Sequence, residues 1–231
     1  MDSLRVRKTD KIDAEKLAQS QFVLNRRPTH VQEEVYQDLR DLSRFYQNLT
    51  EDTVRTKNRL HKVLQVTFPE IESILSAPTG EQYWQLVRAF PSKAFALEMS
   101  EMELTAIIRQ STAKRISDKR VAYLVGKLIE LAKQSYCATK KTSPIIEEVR
   151  YYAQELVRLS DRRQAVLDEM VKSTQPLPEY EILLSIPGIA ETTATSIISE
   201  LGDIRRFQSA NQINAFIGID LRHYESGNFL A

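Results

Sequence analysis

Two long stretches with heptad spacing constrain the fold of this chain more than any other feature. From Val31 onward, apolar residues and two threonines recur every three or four positions: Val35, Leu39, Leu42, Tyr46, Leu49, Thr53, Thr56, Leu60 and Val63. The same spacing returns later in the chain, with Arg163 interrupting it, at Ile145, Val149, Tyr152, Leu156, Leu159, Val166 and Met170. Such spacing places side chains along one helix face. We therefore expect two long helices that either pair antiparallel or form a coiled-coil dimer contact.

The rest of the chain also carries helix signals and few turn signals. The 231 residues include only 6 Gly and 8 Pro, and 42% are hydrophobic, which is enough to build a core. The pattern predicts an N-terminal helix from Thr9 or Asp10, and Pro69 is expected to end the first long helix. The expected fold class is mainly α. Shorter helices are expected near residues 81–90, 101–110 and 118–134.

Simple features exclude several classes of protein. The lone cysteine, Cys137, rules out an internal disulfide, and the three histidines do not have the spacing of zinc ligands. No apolar run approaches the roughly 20 residues that a membrane-spanning helix needs. We therefore expect a cytoplasmic protein without a membrane partner.

Positive charge is unevenly distributed, although the formal net charge is only +1. Residues 55–62 include four Lys or Arg and no acid, and residues 109–141 include nine against two acids. Such stretches favour contact with nucleic-acid phosphates, although many charge runs are only solvated helix faces. Trp84 is expected in the core rather than as a platform for base stacking. The candidate phosphate contacts are Arg55, Lys57, Arg59, Lys62, Lys114, Arg115, Lys119 and Arg120.

Residues 183–207 contain the most specific local signal. An apolar run meets Pro187, Gly188 and Ile189, and a second apolar helix pattern comes after them. This resembles a helix-hairpin-helix, in which a tight glycine turn directs backbone N–H groups toward a phosphate. The alternative is an αα-hairpin that needs Gly188 only for its turn. The preceding TQPLPEYE, at residues 174–181, predicts a domain boundary.

The stretch KTDKIDA places Asp10 and Asp13 three residues apart. On a helix these positions lie on one face with about 5 to 6 Å between Cβ atoms, a spacing that suits shared metal coordination. Alternatively, Asp10 is an N-cap and Asp13 a first-turn acid, both favoured by the helix dipole. Two carboxylates rarely suffice for a hard cation.

Tyr224 and Ser226 are the possible nucleophiles near the C-terminus. Neither has a visible activating base in the sequence, and a Ser-Gly pair is common in turns. The tyrosine is disfavoured further, because no arginine and histidine constellation surrounds it.

Three features occur in a particular order: KTDKIDAEKLA, a long helical middle, and SIPGIAETTATSIISELGDIRRFQSANQINAFIGIDLRHYESG. Together they resemble the DEDD insertion-sequence transposases, in which a RuvC-like domain joins through a coiled coil to a serine-bearing transposase domain. The resemblance implies a remnant of a RuvC-like (RNase H-like) α/β domain at residues 1–28 and a coiled-coil middle at residues 29–175. Residues 176–231 would be a transposase domain with a helix-hairpin-helix, incomplete at its end.

The resemblance also implies chemistry for particular residues. The family motif K-T-D-x-x-D-A supplies two acids of a metal-binding tetrad, and these fall on Asp10 and Asp13. The motif G-[IL]-x-P-x-x-x-x-S-G carries a serine that joins to DNA, and it falls on Ser226, with Leu221 in place of the usual proline. The resemblance thereby implies Mg²⁺-dependent DNA cleavage and strand exchange through a serine intermediate, directed by a structured guide RNA.

The other two acids of the tetrad have no counterpart in this sequence, and the sequence stops soon after Ser226, so the resemblance implies a chain truncated at both ends. Half a tetrad should bind Mg²⁺ weakly and leave the polypeptide inactive alone. The apolar side chains of Ile12, Leu17 and Phe22 would then lack the sheet they pack on.

The expected partners are DNA, a guide RNA, and further copies of the chain in a homodimer or higher oligomer. The expected location is the cytoplasm, in association with the nucleoid when DNA is bound. The alternative is a non-catalytic helical module that binds DNA through its hairpin and dimerises through its heptad helices.

Overall fold

The computed structural model describes residues 10–23, 32–136 and 139–219, which form parts of two compact units, residues 1–33 and 34–231. Over these residues every regular element is an α-helix or a short 3-10 helix, and none is a strand. The mainly α fold is therefore confirmed. The α/β remnant implied for residues 1–28 stays a prediction.

Among the described residues of the first unit, helix α1 spans Asp10–Val23. It begins where the sequence predicts, with Asp10 and Asp13 in its first turn, where acids interact favourably with the helix dipole. Leu17 is exposed. The side chains of Ile12 and Phe22 lie outside those that the structure describes.

Two long helices organise the second unit, as the heptad spacing predicts. Helix α2 spans Glu34–Thr67, and a 3-10 turn at Pro69–Ser73 comes after it. Four shorter helices come next: α3 at Glu81–Ala89, α4 at Lys93–Leu97, α5 at Glu101–Gln110 and α6 at Asp118–Gln134. The second long helix, α7, then spans Pro144–Thr174. The sequence predicts α3, α5 and α6 within a residue, whereas the five-residue α4 is too short to show a periodicity.

Helices α2 and α7 run antiparallel, with one end of each packed against the opposite end of the other. Leu60, near the end of α2, shares a cluster with Val149, near the start of α7. Leu49 in the middle of α2 shares a second cluster with Met170 near the end of α7. Of the two arrangements that the heptads allow, the structure shows the intramolecular pair.

The main core lies between this pair and the shorter helices. Phe68, Phe90, Leu104, Leu124 and Leu156 come from different parts of the chain and are fully buried in one cluster. Trp84 also belongs to this cluster, which confirms its expected place in the core. A packed cluster of this extent supplies most of the hydrophobic stabilisation of the unit.

The buried face of α2 differs from the heptad seam near its start. Tyr36 and Ser43 are buried, whereas Val35 and Leu42 are only partly buried. The reason is that α2 packs on α9 near its start as well as on α7. Residues there are buried by two helices, whereas a heptad seam faces a single partner. Further along α2, Thr53 is buried as expected, and its hydroxyl donates to the carbonyl of its own helix four residues back.

The C-terminal segment packs on the long helices. It contains α8 at Pro178–Leu184, α9 at Glu191–Leu201, a 3-10 turn at Ile204–Arg206 and α10 at Ala210–Ile217. Tyr180, Ala194 and Ile198 form a small cluster with Tyr36 and Leu39 of α2. Residues on both sides of position 175 therefore share buried contacts, and the domain boundaries stay predictions. None of the described helices has the length and apolar character to span a membrane.

Candidate nucleic-acid interface

The junction of α5 and α6 concentrates exposed positive charge. Its loop, residues 111–117, carries Lys114 and Arg115, and the first turn of α6 adds Lys119 and Arg120, all four exposed. A concavity of about 710 Å³ opens at this junction and is lined by Arg109, Lys114, Arg115, Ile116, Ser117 and Asp118. We call the five cations Arg109, Lys114, Arg115, Lys119 and Arg120 the junction patch.

Local hydrogen bonds hold the backbone beneath the junction patch. The N–H of Lys114 donates to the hydroxyl of Thr112 at 3.2 Å. Ser117 is the N-cap of α6, and its hydroxyl accepts from the N–H of Arg120 at 3.3 Å. Such caps fix the direction in which the first turn leaves the loop. The long side chains therefore extend from a backbone that is ordered at both ends of the loop.

One carboxylate balances part of this charge. Asp118 forms an ion pair with Arg109. The guanidinium of Arg120 lies 5.1 Å from the ring centroid of Tyr123. Among the described residues, no ion pair includes Lys114, Arg115, Lys119 or Arg120.

The basic run of α2 is placed differently, because acids lie beside it. Arg55 pairs with Glu51 at 2.9 Å and with Asp52 at 3.4 Å, one turn earlier on the same helix. Lys57 is half-buried on α2, and its ammonium lies 5.9 Å from the ring centroid of Trp84. The positive charge of Arg55 is therefore already balanced by carboxylates.

Arg59 faces a mixed-charge surface on α7. It shares a concavity with Tyr152, Glu155 and Arg158. Arg158 forms an ion pair with Glu155 at 2.6 Å, and this hydrogen bond lowers the pKa of the Glu155 carboxyl. Lys62 is exposed on the next turn of α2.

The predicted hairpin turn is present between α8 and α9. Gly188 has a φ of +90°, and a Cβ at this position would meet nothing within 4 Å, so the backbone conformation alone favours glycine. Pro187 and Gly188 are exposed, while Ile189 is partly buried against the C-terminal cluster. The N–H of Ile189 donates to the carbonyl of Ile186 at 3.1 Å and closes the turn.

The charge of the hairpin does not favour phosphate. From residue 178 to residue 201 the sequence has four acids and no Lys, Arg or His. One of the acids, Glu191, lies in the first turn of α9, whose N-cap Ala190 offers no side-chain acceptor. Backbone N–H groups at this helix start are available for an anion, but the nearby charges oppose it.

The two acids of α1 have the spacing that shared coordination needs. Asp10 is exposed and Asp13 is half-buried, both in the first turn. Across the described ranges, no group of three or more His, Cys, Asp or Glu side chains comes together as a metal site. Asp10 and Asp13 thus contribute two carboxylates at most. Ser226, Tyr224 and Leu221 lie outside the described residues.

Two arginines with distinctive surroundings escape prediction from the sequence. Arg109 joins the junction patch from the end of α5, and its place in the basic run 109–141 is the signal that points to it. Arg206 lies 4.5 Å from the ring centroids of both Phe207 and Phe216, which no sequence spacing shows. Its Nε and Nη2 are buried without a hydrogen-bond partner among the described residues.

Two transposase family models match opposite ends of the chain. Residues 1–69 match the model DEDD_Tnp_IS110, described as a transposase, and residues 180–230 match the model described as the transposase of the IS116/IS110/IS902 family. The chain belongs to the IS110 family of transposases. In this IS110-family chain Asp10, Asp13 and Ser226 lie within the matched ranges. The junction patch lies in the part of the sequence between these two ranges.

Two curated relatives support the assignment. The chain is 23% identical, over 216 residues, to an uncharacterized 43.6 kDa protein of insertion element IS110 from Streptomyces coelicolor, covering 92% of this chain and 52% of the relative. It is 33% identical, over 94 residues, to the transposase for insertion sequence element IS1111A from Coxiella burnetii, covering 33% of this chain and 26% of the relative. The IS110-family chain thus spans about half or less of the length of these relatives. No solved structure matches it.

Proposed function

We propose that this chain acts in the transposition of an insertion sequence, by binding DNA and taking part in its cleavage and strand exchange. The observation that carries the proposal is the pair of transposase family models that match residues 1–69 and 180–230 in this order. The family likeness at both ends supports one recombination protein rather than an isolated binding motif.

Asp10 and Asp13 are proposed to hold Mg²⁺. Carboxylate oxygens are the ligands that this cation prefers, and the first turn of α1 presents two of them from one face. When bound, Mg²⁺ stabilises negative charge on a reacting phosphate. Because the described residues bring no third ligand to these two, binding by the 231-residue chain should be weak.

Ser226 is proposed as the nucleophile, on its position in the family motif. Its oxygen would form a bond to a DNA phosphorus as the bond to a deoxyribose oxygen breaks. The serine proton would leave and the deoxyribose oxygen would gain one. This exchange preserves a phosphodiester and allows the broken strand to be rejoined.

The remaining parts of the proposal concern partners and place. The IS110-family match supports DNA as the substrate, and the basic stretches of α2 and the α5–α6 junction are the proposed contacts with DNA or a structured guide RNA. We also propose assembly into a homodimer or higher oligomer, and action in the cytoplasm at the nucleoid.

A nicking assay tests the metal proposal. Purified chain is incubated with supercoiled plasmid in the presence of Mg²⁺, alongside Asp10→Ala. We expect little or no conversion to nicked circles by either protein. Efficient Mg²⁺-dependent nicking that disappears in Asp10→Ala would show that two described carboxylates suffice and would overturn the expected inactivity.

A second candidate function is a non-catalytic helical module that binds DNA. The observation that favours it is that the second unit has a well-packed helical core, whereas the described residues offer only two carboxylates for a metal at Asp10 and Asp13. DNA affinity measured with and without Mg²⁺ separates the two candidates. Mg²⁺ enhancement in the natural chain that is lost in the Asp10→Ala, Asp13→Ala double variant supports the transposase role, and affinity independent of Mg²⁺ and of both acids supports the module.

A further inference from the structure

The two basic stretches differ in how much of their positive charge is already balanced by carboxylates of the protein. In α2, Arg55 pairs with Glu51 and Asp52, and Arg59 shares a concavity with the Glu155–Arg158 ion pair. A polyanion approaching this face meets carboxylates together with the cations. Its electrostatic attraction is therefore reduced.

The junction patch has the opposite balance. Lys114, Arg115, Lys119 and Arg120 project from one loop and the helix turn after it, and a single carboxylate, Asp118, lines the concavity that opens there. Asp118 is already paired with Arg109. Four exposed cations within one loop and one helix turn of ordered backbone give the concentrated positive surface that phosphodiesters attract.

From this contrast we infer that the junction patch, and not the basic run of α2, is the main phosphate-binding surface of the chain, and that its ligand is the backbone of duplex nucleic acid. The inference rests on the proposed function, since it names which surface of this IS110-family chain meets nucleic acid. Both family matches leave the patch uncovered, so the assignment rests on the charge and geometry of these residues and not on a family motif.

A duplex fits the patch better than an unpaired strand does. Proteins that bind single strands offer aromatic faces on which bases stack. The aromatic side chain beside the patch, Tyr123, is about half exposed, and the guanidinium of Arg120 lies 5.1 Å from its ring centroid, on one face. Trp84 is buried in the core. The described surface at the junction therefore offers several cations for a backbone, whereas Arg120 already occupies one face of the ring that could stack on a base.

The test compares three variants of the full chain. The first carries Lys114→Gln, Arg115→Gln, Lys119→Gln and Arg120→Gln. The second makes the same change at the four α2 cations, Arg55, Lys57, Arg59 and Lys62. The control changes four exposed cations outside the junction patch and outside residues 55–62, namely Arg44, Lys133, Lys140 and Lys172. Each variant lowers the formal net charge by four, from +1 to −3, so that any difference reflects position rather than total charge.

Affinity is measured for a DNA duplex, an RNA duplex and an oligothymidine strand between about 50 and 200 mM salt. We expect the junction variant to lose at least about tenfold in duplex affinity at the lowest salt, and its log–log salt slope to fall by about 3, as for the loss of three to four phosphate contacts. The α2 variant and the control should change by less than about threefold. The arm with the larger loss, DNA or RNA, identifies the source of the duplex.

Several outcomes would contradict the inference. A junction variant with unchanged affinity and salt slope overturns it, and so does an equal or larger loss in the α2 variant. Tighter binding of oligothymidine than of either duplex overturns the choice of a duplex backbone. If the natural chain binds none of the three ligands, the proposed function itself fails. Circular dichroism verifies that the four substitutions in each variant leave the helices intact.

Discussion

The middle of this molecule and its two ends have different tasks. Most members of the main core come from residues 71–157, which neither family model covers. The residues proposed for chemistry lie in the matched ends, in α1 and around Ser226. Of these ends, α10 buries no residue and Leu17 of α1 is 64% exposed. The comparison teaches that the residues proposed for chemistry and those that build the main core are separate sets.

Removing a ring from the middle should have the largest effect. Phe90 is fully buried in the main core, so Phe90→Ala should cost about 3 to 5 kcal/mol through lost burial and the cavity left behind. Urea denaturation measures the loss. Met102→Ala, at a side chain that is 81% exposed, is the control and should change stability by less than about 0.5 kcal/mol. Similar losses of stability for both variants would contradict the role given to the buried core of the middle.

A second variant asks whether the matched C-terminal helices unfold together with the middle. Ile198 packs with Tyr36 in the small C-terminal cluster, and Ile198→Ala should cost about 2 kcal/mol or more. Trp84, the only tryptophan, reports on the main core. We expect the fluorescence transition of Trp84 to shift to lower urea, because the two clusters share α2. An unshifted transition would show that α8 and α9 melt independently.

A pair of glycine substitutions should give effects of opposite sign. Gly188→Ala puts a Cβ on a residue with a φ of +90° and should destabilise by about 1 kcal/mol. Gly126 lies inside α6 with open space around it, so Gly126→Ala should stabilise by about 0.5 to 1 kcal/mol. Thermal melts compare the two variants with the natural chain. Equal shifts would contradict the need for glycine at the hairpin.

The smallest predicted effect is a pH dependence at the start of α5. Hydrogen bonds from the backbone N–H and the side chain of Ser100 lower the pKa of Glu103 from its usual 4.5. A depressed folded-state pKa contributes stability above the pKa of the unfolded chain, and the contribution disappears as pH falls through the folded value. The stability difference between the natural chain and Glu103→Gln should therefore shrink below about pH 4. Melting temperatures at pH 7 and pH 3.5 measure it, and a constant difference would exclude this carboxylate as the cause.

Much of the fold can be predicted from local patterns. Heptad spacing predicts α2 and α7, Pro69 predicts where α2 ends, and Ser100 with Glu103 forms a capping box that starts α5. These signals act within a few residues, so the sequence displays them directly. The burial of Tyr36 and Ser43 is different, because it depends on α9, which lies more than 140 residues away in the chain.

The candidate interface is less predictable for the same reason. In the sequence, the basic run 55–62 contains no acid and the run 109–141 contains only two. The structure pairs Arg55 of the first run with Glu51 and Asp52 from the preceding turn of α2, and places the Glu155–Arg158 ion pair of α7 in a concavity with Arg59. Free charge is a property of neighbours in space. Composition alone therefore could not distinguish the junction patch from the α2 run.

The antiparallel pairing of α2 and α7 also has a consequence for synthesis on the ribosome. Helix α2 ends at Thr67, and its partner begins only at Pro144. At about 5 to 20 residues per second, translation from the end of α2 to the end of α7 takes roughly 5 to 20 s. Until then the apolar face of α2 lacks its partner helix. During that interval only the shorter helices are available to shield it. Nascent chains stalled before residue 144 should therefore be the form of this protein that chaperones bind most strongly.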